Sequence, residues 1–265
     1  MTSLLGHLLP RNPLILSAMA GVTFGEFVKR IALGGAGAVT IGGFCIDKET
    51  WEAARKIRAR GREEFTFDPK ILISDLIHSS LHDLDNLPVF INVRFARVKS
   101  LEPLLDAIRE YSTAIIEINA HCRQPEITAL GAGQALLGRP ERVLEAIELV
   151  QSTGRAVAVK VRGNDSKMQL LMEAFGQTSP DYLHVDAYEQ NSGFTDLNLL
   201  RNIRLSYSGF LIGNNSVRDT ESAYKALSQT GIDAVSIARG ARENPGIFAQ
   251  ITQELSELGY KWRYH

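Results

Sequence analysis

The 265-residue chain lacks several features that would assign it to a class of protein at once. It has two cysteines, Cys45 and Cys122, which lie far apart and without CxxC spacing, so neither a disulfide framework nor a zinc site is expected. No apolar run approaches the roughly 20 residues that span a bilayer. The first residues, MTSLLGHLLPRNP, lack the basic start and the length of a signal peptide. We therefore expect a cytoplasmic protein with free thiols and no membrane association.

An excess of basic charge is missing as well. The formal net charge is −1 at pH 7 and the sequence pI is about 6.6, whereas domains that bind nucleic acid usually have a pI above about 9. Any contact with RNA must then come from a local basic surface. The composition, 45% hydrophobic and 22% charged, is that of an ordinary globular protein. Because no linker, repeat or low-complexity tract interrupts the chain, we expect one domain over residues 1–265.

What the chain does contain is a regular alternation of short apolar strands and amphipathic helical segments. The strands are nearly continuous apolar runs, as is typical of parallel strands covered by helices. Eight are predicted, at 14–19, 38–43, 89–95, 114–119, 156–162, 182–187, 209–214 and 234–239. Eight strands with intervening helices in roughly 250 residues match the size of an α/β protein of the (β/α)8 TIM-barrel type. A doubly wound sheet stays open, because alternation does not say whether the sheet closes.

The helical segments carry their own start signals. Helices are predicted at 139–153, at 100–111 behind a Ser100 cap, and from Asn244-Pro245 towards the C-terminus. Residues 47–86 are the least regular part. They are predicted to hold a charged helix and then an apolar one, as a long excursion between the second and third strands.

Polar residues stand two apart in the C-terminal halves of four middle strands, where a barrel interior is normally aliphatic. Period two puts each pair on one face of its strand, with apolar neighbours on the other. We predict that all eight side chains line one cavity at the mouth of the barrel: Asn92 and Arg94, Glu117 and Asn119, Lys160 and Arg162, and His184 and Asp186. The alternative is a self-neutralising ion network of Glu117 with Lys160 or Arg162, which would be a weak source of stability.

The loop after the fourth strand carries His121 and Cys122, and Gly131 and Gly133 follow. A buried strand that delivers polar groups and a thiol into a loop is a candidate active site. No second pair of residues has ligand spacing, so we expect no metal.

A phosphate site is better supported. Asn214-Asn215-Ser216 follow the seventh strand, and Arg239-Gly240 follow the eighth. In barrels of this kind the loops after these two strands bind phosphate. Together with Lys160, they favour a phosphate-bearing ligand.

Six segments in order resemble the flavin-dependent tRNA-dihydrouridine synthases. They are LSAMAGVT at 16–23, INVRF, EINAHCRQP with the trailing GAGQALLGRPERV, VAVKVRG at 157–163, LIGNNSV, and DAVSIARGARENPGIF at 233–248. The resemblance covers nearly the whole chain. It implies an FMN-bound barrel that reduces the 5,6 double bond of uridine in tRNA, with NADPH as the electron donor.

The resemblance also implies roles for individual residues. Cys122 would protonate C5 of the uracil ring, since a protonated thiol can act as an acid, and Asn119 would orient the ring. FMN would be held by Met19 and Ala20 against the flavin, Asn92 and Lys160 at its ring edge, and Asn214, Asn215, Arg239 and Gly240 at its phosphate. The remaining polar residues would stand around the substrate: Arg94, Glu117, His121, Arg162, His184 and Asp186.

The sequence departs from the family in the same places. His121 and Arg123 stand where the family has Gly and Pro, Asp186 stands where it has His, and Asn215 replaces a glycine. Asp186 would repel a flavin phosphate unless His184 or Arg239 compensates its charge. The helical C-terminal RNA-binding domain of the family has no counterpart here, so we expect either a different mode of RNA binding or another substrate. The alternatives are a dihydroorotate dehydrogenase-like enzyme acting on a free pyrimidine, and a non-catalytic barrel that binds a phosphate-bearing ligand.

Overall fold

A computed structural model describes residues 8–65, 73–82, 84, 86–189 and 192–264. Eight parallel strands form one sheet in the order β1-β8-β7-β6-β5-β4-β3-β2. Their bounds are β1 Leu14–Leu16, β2 Val39–Cys45, β3 Val89–Arg94, β4 Ala114–Ala120, β5 Val157–Arg162, β6 Tyr182–Asp186, β7 Phe210–Asn214 and β8 Ala234–Ile237. A parallel bridge between Ile15 and Ala38 joins the two ends of this order. The predicted (β/α)8 barrel is therefore confirmed, and the doubly wound alternative is excluded.

Helices alternate with the strands and cover the outside of the sheet. They are α1 Gly25–Leu33, α2 Lys48–Ala59, α3 Ile73–Leu81, α4 Glu102–Ala107, α5 Pro125–Thr128, α6 Pro140–Ser152, α7 Met168–Ala174, α8 Leu197–Ser206, α9 Thr220–Thr230, α10 Arg239–Glu243 and α11 Ile247–Glu257, with 3-10 turns at Val98–Leu101 and Gly133–Gly138. Within the described ranges, none of the helices has the length and apolar character needed to cross a membrane.

The excursion at 47–86 does hold two helices, α2 and α3. Parts of that prediction, at residues 66–72, 83 and 85, lie outside the described residues, as does the segment 1–7.

Several element boundaries differ from the prediction, including β1, which ends at Leu16 rather than at residue 19. Ser100 does not cap a helix, because it lies inside the 3-10 turn that precedes α4. The last helix begins at Ile247 rather than at Asn244, whose side chain instead accepts a hydrogen bond from the Gly246 N–H at 3.0 Å. β8 ends at Ile237, so Arg239 opens α10 rather than closing the strand.

The strand register stacks the inward side chains in layers. On β3 the inward positions are Phe90, Asn92 and Arg94, and Asn92 lies beside Glu117 of β4. Lys160 of β5 lies between Asn119 of β4 and His184 of β6. Because the strands are parallel and in register, residues two apart along each strand rise one layer together. The bottom of the barrel interior is thus apolar, and the upper layers are polar.

Candidate active site

The C-terminal ends of the strands open onto a cavity of about 1000 Å³. Six of the eight paired polar residues line it: Asn92, Arg94, Asn119, Lys160, Arg162 and Asp186. The prediction that all eight line the cavity is wrong for Glu117 and His184. Both are fully buried in the layer beneath it.

Glu117 and His184 form a buried pair. His184 Nδ1 lies 2.7 Å from Glu117 Oε2, and its Nε2 lies 2.7 Å from Ser236 Oγ. The Asn92 amide donates to Glu117 Oε1 at 2.6 Å. Burial alone would raise the pKa of Glu117, but His184, Lys160 and Asn92 outweigh it and lower that pKa to about 2.

This pairing differs from the ion network considered for the sequence. Glu117 bonds to His184 and Asn92, whereas the Lys160 ammonium donates to Ser17 Oγ at 2.6 Å. Arg162 instead pairs with Asp186 at 3.1 Å. The Lys160 amine and the Arg162 guanidinium are thus held at the cavity by partners other than Glu117.

The loop that carries Cys122 is fixed from two sides. The Asn119 side-chain oxygen accepts hydrogen bonds from the backbone N–H groups of His121 at 3.1 Å and Cys122 at 2.9 Å. The Asn119 amide in turn donates to Asn92 Oδ1 at 2.8 Å. From the other side, the Gln134 N–H donates to the Cys122 carbonyl at 2.8 Å. A Cβ at Gly133, whose φ is +57°, would collide with that carbonyl oxygen, so the loop requires glycine there. Cys122 is consequently half-buried at the cavity wall.

Asp186 is surrounded by three donors. His121 Nε2 lies 2.6 Å from Oδ2, Arg162 Nη1 lies 3.1 Å from the same oxygen, and Asn215 Nδ2 donates to Oδ1 at 2.8 Å. Burial opposes ionisation, but these partners outweigh it and hold the pKa of Asp186 far below its usual range. The charge compensation expected from His184 or Arg239 is instead supplied by Arg162, while His121 and Asn215 satisfy the carboxylate with hydrogen bonds.

His121 is held in its neutral form. Burial and the nearby Lys160 and Arg162 charges lower its pKa to about 4, against the opposing effect of Asp186. At neutral pH its Nε2–H therefore donates to Asp186. Two departures from the family pattern, His121 and Asn215, thus both contact a third, Asp186.

The residues that the resemblance assigns to FMN come together. All line the one cavity: Met19, Ala20, Asn92, Lys160, Asn214, Asn215, Arg239 and Gly240. The Arg239 side chain has no hydrogen-bond or ion-pair partner in the described part of the chain and remains available to an anion. Asn214 donates to Ser17 at 3.0 Å, and Asn215 has a φ of 104°, which is uncommon outside glycine. A cavity of this volume with unpaired cations fits a phosphate-bearing aromatic cofactor.

Some residues at the mouth escaped the sequence reasoning. Ser17, directly after β1, hydrogen-bonds to Lys160, and Ser236 on β8 hydrogen-bonds to His184. The signal available for both in the sequence was their position two residues from an inward-facing side chain of the predicted strand. Phe65, Arg218 and Arg242 also line the cavity. They stand outside the strands, where no periodicity marks them.

No three His, Cys, Asp or Glu side chains are grouped for a metal ion among the described residues. The predicted absence of a metal stays a prediction.

Residues 74–261, well over half of the chain, match the family model described as dihydrouridine synthase (Dus). The chain belongs to the dihydrouridine synthase family. Dihydrouridine synthases are flavin-dependent oxidoreductases, so the chain is placed among the enzymes.

Individual relatives agree with this placement. An uncharacterized protein of Methanocaldococcus jannaschii is 33% identical over 85% of this chain and 87% of its own length. A probable tRNA-dihydrouridine synthase of Rhodobacter capsulatus is 25% identical over 92% of this chain and 72% of its own length. Among solved structures, a FabK variant from Thermotoga maritima superposes with a TM-score of 0.55 at 13% identity. The match covers 91% of this chain and 65% of the FabK chain. At that identity the FabK structure supports the fold alone.

Proposed function

We propose that this dihydrouridine synthase family member uses FMN and NADPH to reduce the C5=C6 bond of uridine in tRNA, with Cys122 as the proton donor. The observation that carries the proposal is the anchoring of the Cys122 loop. Asn119 on β4 holds both loop N–H groups, and the thiol stands at the wall of the cavity that Lys160 and Arg239 also line. A proton donor must be held within reach of the atom that it protonates.

In this proposal FMN, when bound, supplies the hydride that adds to C6 of the uracil ring. Lys160, fixed by Ser17, and the free N–H of Asn92 would contact the flavin ring edge, with Met19 and Ala20 against its face. Arg239, Gly240 and the loop of Asn214 and Asn215 would hold the phosphate. Asp186 would not repel it, because Arg162 compensates the charge of this carboxylate and His121 and Asn215 donate hydrogen bonds to it.

The remaining steps belong to the chain's own residues. Cys122 gives its proton to C5 from the side opposite to the hydride. Asn119 keeps the loop backbone in place while this happens, since its oxygen accepts from two consecutive N–H groups. Glu117 and His184 form a dry layer under the cavity, which keeps bulk water from reaching the ring from below.

The experiment is an assay of dihydrouridine formation on unmodified tRNA with NADPH, together with the flavin absorbance of the purified protein. Wild type should be yellow and active. Cys122→Ala should keep its flavin and lose at least about 100-fold in rate, as expected for a lost general acid. A control variant, Ser206→Ala at the end of α8, removes a hydroxyl from an exposed residue and should leave the rate unchanged.

Two results would overturn the proposal. Colourless protein that takes up no FMN would point to the non-catalytic barrel. A yellow protein that oxidises dihydroorotate but leaves tRNA unchanged would point to a free pyrimidine as the substrate.

A further inference from the structure

Arg94 at the end of β3 is a buried cation without a buried anion. The residue is 5% exposed, and within the described ranges no carboxylate pairs with its guanidinium. Its hydrogen-bond partners are the Gly43 carbonyl, 2.8 Å from Nη1, and Cys45 Sγ, 3.6 Å from the same nitrogen. Buried charges in proteins are normally paired, because removing them from water is costly. The unpaired charge of Arg94 therefore lowers the stability of the ligand-free fold.

One donor of this guanidinium has no acceptor. Arg94 Nε is buried and makes no hydrogen bond. An unmade hydrogen bond at a buried polar atom costs about 1–3 kcal/mol. Nε itself faces the protein, but Arg94 lines the cavity, so a bound ligand can meet the guanidinium from the cavity side.

The surroundings hold the guanidinium in place. The Phe65 ring packs against it, with the Arg94 Cζ 4.9 Å from the ring centroid. A Cβ at Gly43 would lie 2.5 Å from Arg94 Nη2, so glycine at this position makes room for the cation. The side chain is thus pre-organised, as a binding group needs to be.

The guanidinium also reaches the proposed proton donor. Arg94 Nη1 lies 3.6 Å from Cys45 Sγ, Cys122 packs against the hydrophobic cluster that contains Cys45, and Arg94 and Cys122 line the same cavity. Burial disfavours its charged form, but the two sulfurs outweigh burial and raise the pKa of Arg94. A permanent positive charge therefore stands next to Cys122, on the side of the cavity formed by β3 and the loop after β4.

We propose that Arg94 binds the O4 oxygen of the uracil ring and stabilises the negative charge that develops there during reduction. The inference rests on the proposed function. In the uracil ring C5, which receives the proton, is bonded to C4, which carries O4. A group that holds O4 must therefore stand near the donor of the C5 proton, and Arg94 and Cys122 line the same cavity on either side of Cys45.

The electron balance gives this charge a role. Hydride supplied by bound reduced FMN would form the C6–H bond, and the electron pair of the C5=C6 double bond would move onto C5 and O4 as an enolate. The thiol proton of Cys122 then bonds to C5, the enolate charge disappears, and the thiolate that remains takes a proton from solvent. NADPH restores the reduced cofactor. Arg94 offers a fixed cation where charge appears first on O4 and then on sulfur, and such pre-organised donors account for large rate effects.

Three variants test the role in catalysis. Arg94→Gln keeps a hydrogen-bond donor and removes the charge, so dihydrouridine formation should slow by about 100-fold. Flavin content and the Kd for tRNA should stay at wild-type values. Arg94→Lys restores the charge and should recover part of the rate. The matched control is Arg155→Gln, which removes an arginine whose partners are the Tyr111 and Ile108 carbonyls at the opposite end of the barrel. This control should retain the wild-type rate.

A binding measurement tests the same idea without turnover. The probe is 6-hydroxyuridine, an anion at neutral pH whose charge is shared between the oxygens on C4 and C6, compared with neutral uridine by equilibrium dialysis. Wild type should bind the anion more tightly than uridine. Arg94→Gln should raise the Kd of the anion by about 10-fold or more and the Kd of uridine much less. The reason is that hydrogen bonds to charged groups are stronger than those to neutral groups.

The outcomes separate the two proposals. An Arg94→Gln protein that reduces tRNA at the wild-type rate, or that keeps an undiminished preference for 6-hydroxyuridine, contradicts the role of Arg94. A wild-type protein that holds no flavin or makes no dihydrouridine contradicts the proposed function instead, whatever Arg94 binds. A wild-type protein that does not prefer the anion overturns the inference even if it reduces tRNA.

Discussion

The bottom of the barrel interior is aromatic and aliphatic, whereas the mouth is made of amides, cations and a carboxylate. On β6 the inward residues pass from Tyr182 through His184 to Asp186 within five positions. At the bottom, Tyr182 packs against Phe90 and Phe210 with ring centroids 5.1 and 5.3 Å away. Its hydroxyl donates to the Leu8 carbonyl at 2.8 Å.

The two ends of the barrel interior differ in whether their buried polar atoms have hydrogen-bond partners. The bottom layer needs little beyond close packing, and its one phenol has an acceptor. At the mouth, Arg94 Nε and Arg162 Nε are buried without a partner among the described residues, whereas in the bottom layer the corresponding atom is Thr40 Oγ1, which lies beside Phe90. We therefore expect the bottom layer to contribute most to folding stability, and the mouth to supply the polar groups that bind a ligand.

The largest expected effect on stability comes from a substitution in the bottom layer. Phe90→Ala should lower the free energy of unfolding by about 3–5 kcal/mol, because it removes a fully buried ring and leaves a cavity. Chemical denaturation measures this. Phe194→Ala, which truncates a ring that is 64% exposed, is the control and should cost well under 1 kcal/mol. Equal effects of the two variants would mean that the bottom layer is not where stability resides.

The next largest effect comes from a substitution in the layer between the bottom and the mouth, which holds the Glu117–His184 pair. His184→Leu should cost about 3 kcal/mol, since Glu117 would then be a buried charge without its main partner. Adding Glu117→Gln to His184→Leu should recover part of that loss. The readout is a double-mutant cycle by denaturation. Strictly additive costs would show that the two side chains are not coupled.

A smaller effect depends on pH. The pKa of His121 is lowered to about 4 in the folded protein, against an ordinary value of 6.5, so its contribution to stability is full above pH 6.5. As pH falls from 6.5 towards 4, the unfolded chain binds a proton that the folded chain does not. Stability should therefore drop by about 2 kcal/mol between pH 7 and pH 5.

The control for this pH effect is His121→Gln, which keeps a donor for Asp186 and removes the titration. The slope of stability against pH should become shallower in this variant. Some slope should remain, because burial also lowers the pKa of His184. An unchanged slope would show that His121 does not titrate abnormally.

The smallest expected effect lies at the rim of the mouth. Asn215→Gly relieves a backbone φ of 104° but loses the bond to Asp186, so the net change in stability should stay within about 1 kcal/mol. Asn215→Ala loses the bond and keeps the strain, and should cost about 2 kcal/mol. Denaturation midpoints of the two variants distinguish these outcomes. Equal costs would mean that the backbone at Asn215 stores no strain.

Much of this arrangement could be predicted from the sequence because it depends on local periodicity. The eight strands and the inward parity of Asn92, Glu117, Lys160 and His184 follow from alternation along short apolar runs. Helix boundaries were less predictable. Ser100 has the residue type of a cap, but the chain forms a 3-10 turn there, and Asn244 closes a loop instead of opening a helix. Caps depend on where the preceding segment leaves the backbone, and the residue type alone does not contain that information.

The sequence by itself determined the eight strands and their alternation with helices, the face of each strand on which the polar residues stand, the loop that carries Cys122, and the family. Only the tertiary structure decided the partners. His121 meets Asp186 across 65 residues, Glu117 meets His184 across 67, and Arg94 reaches Cys45 across 49. The physical reason is that side-chain alternation is a property of one strand, whereas contact between strands depends on their register and on closure of the sheet. The site around Cys122 was therefore visible in the sequence as a set of residues, and became a cavity with a particular charge at each wall only when the barrel closed.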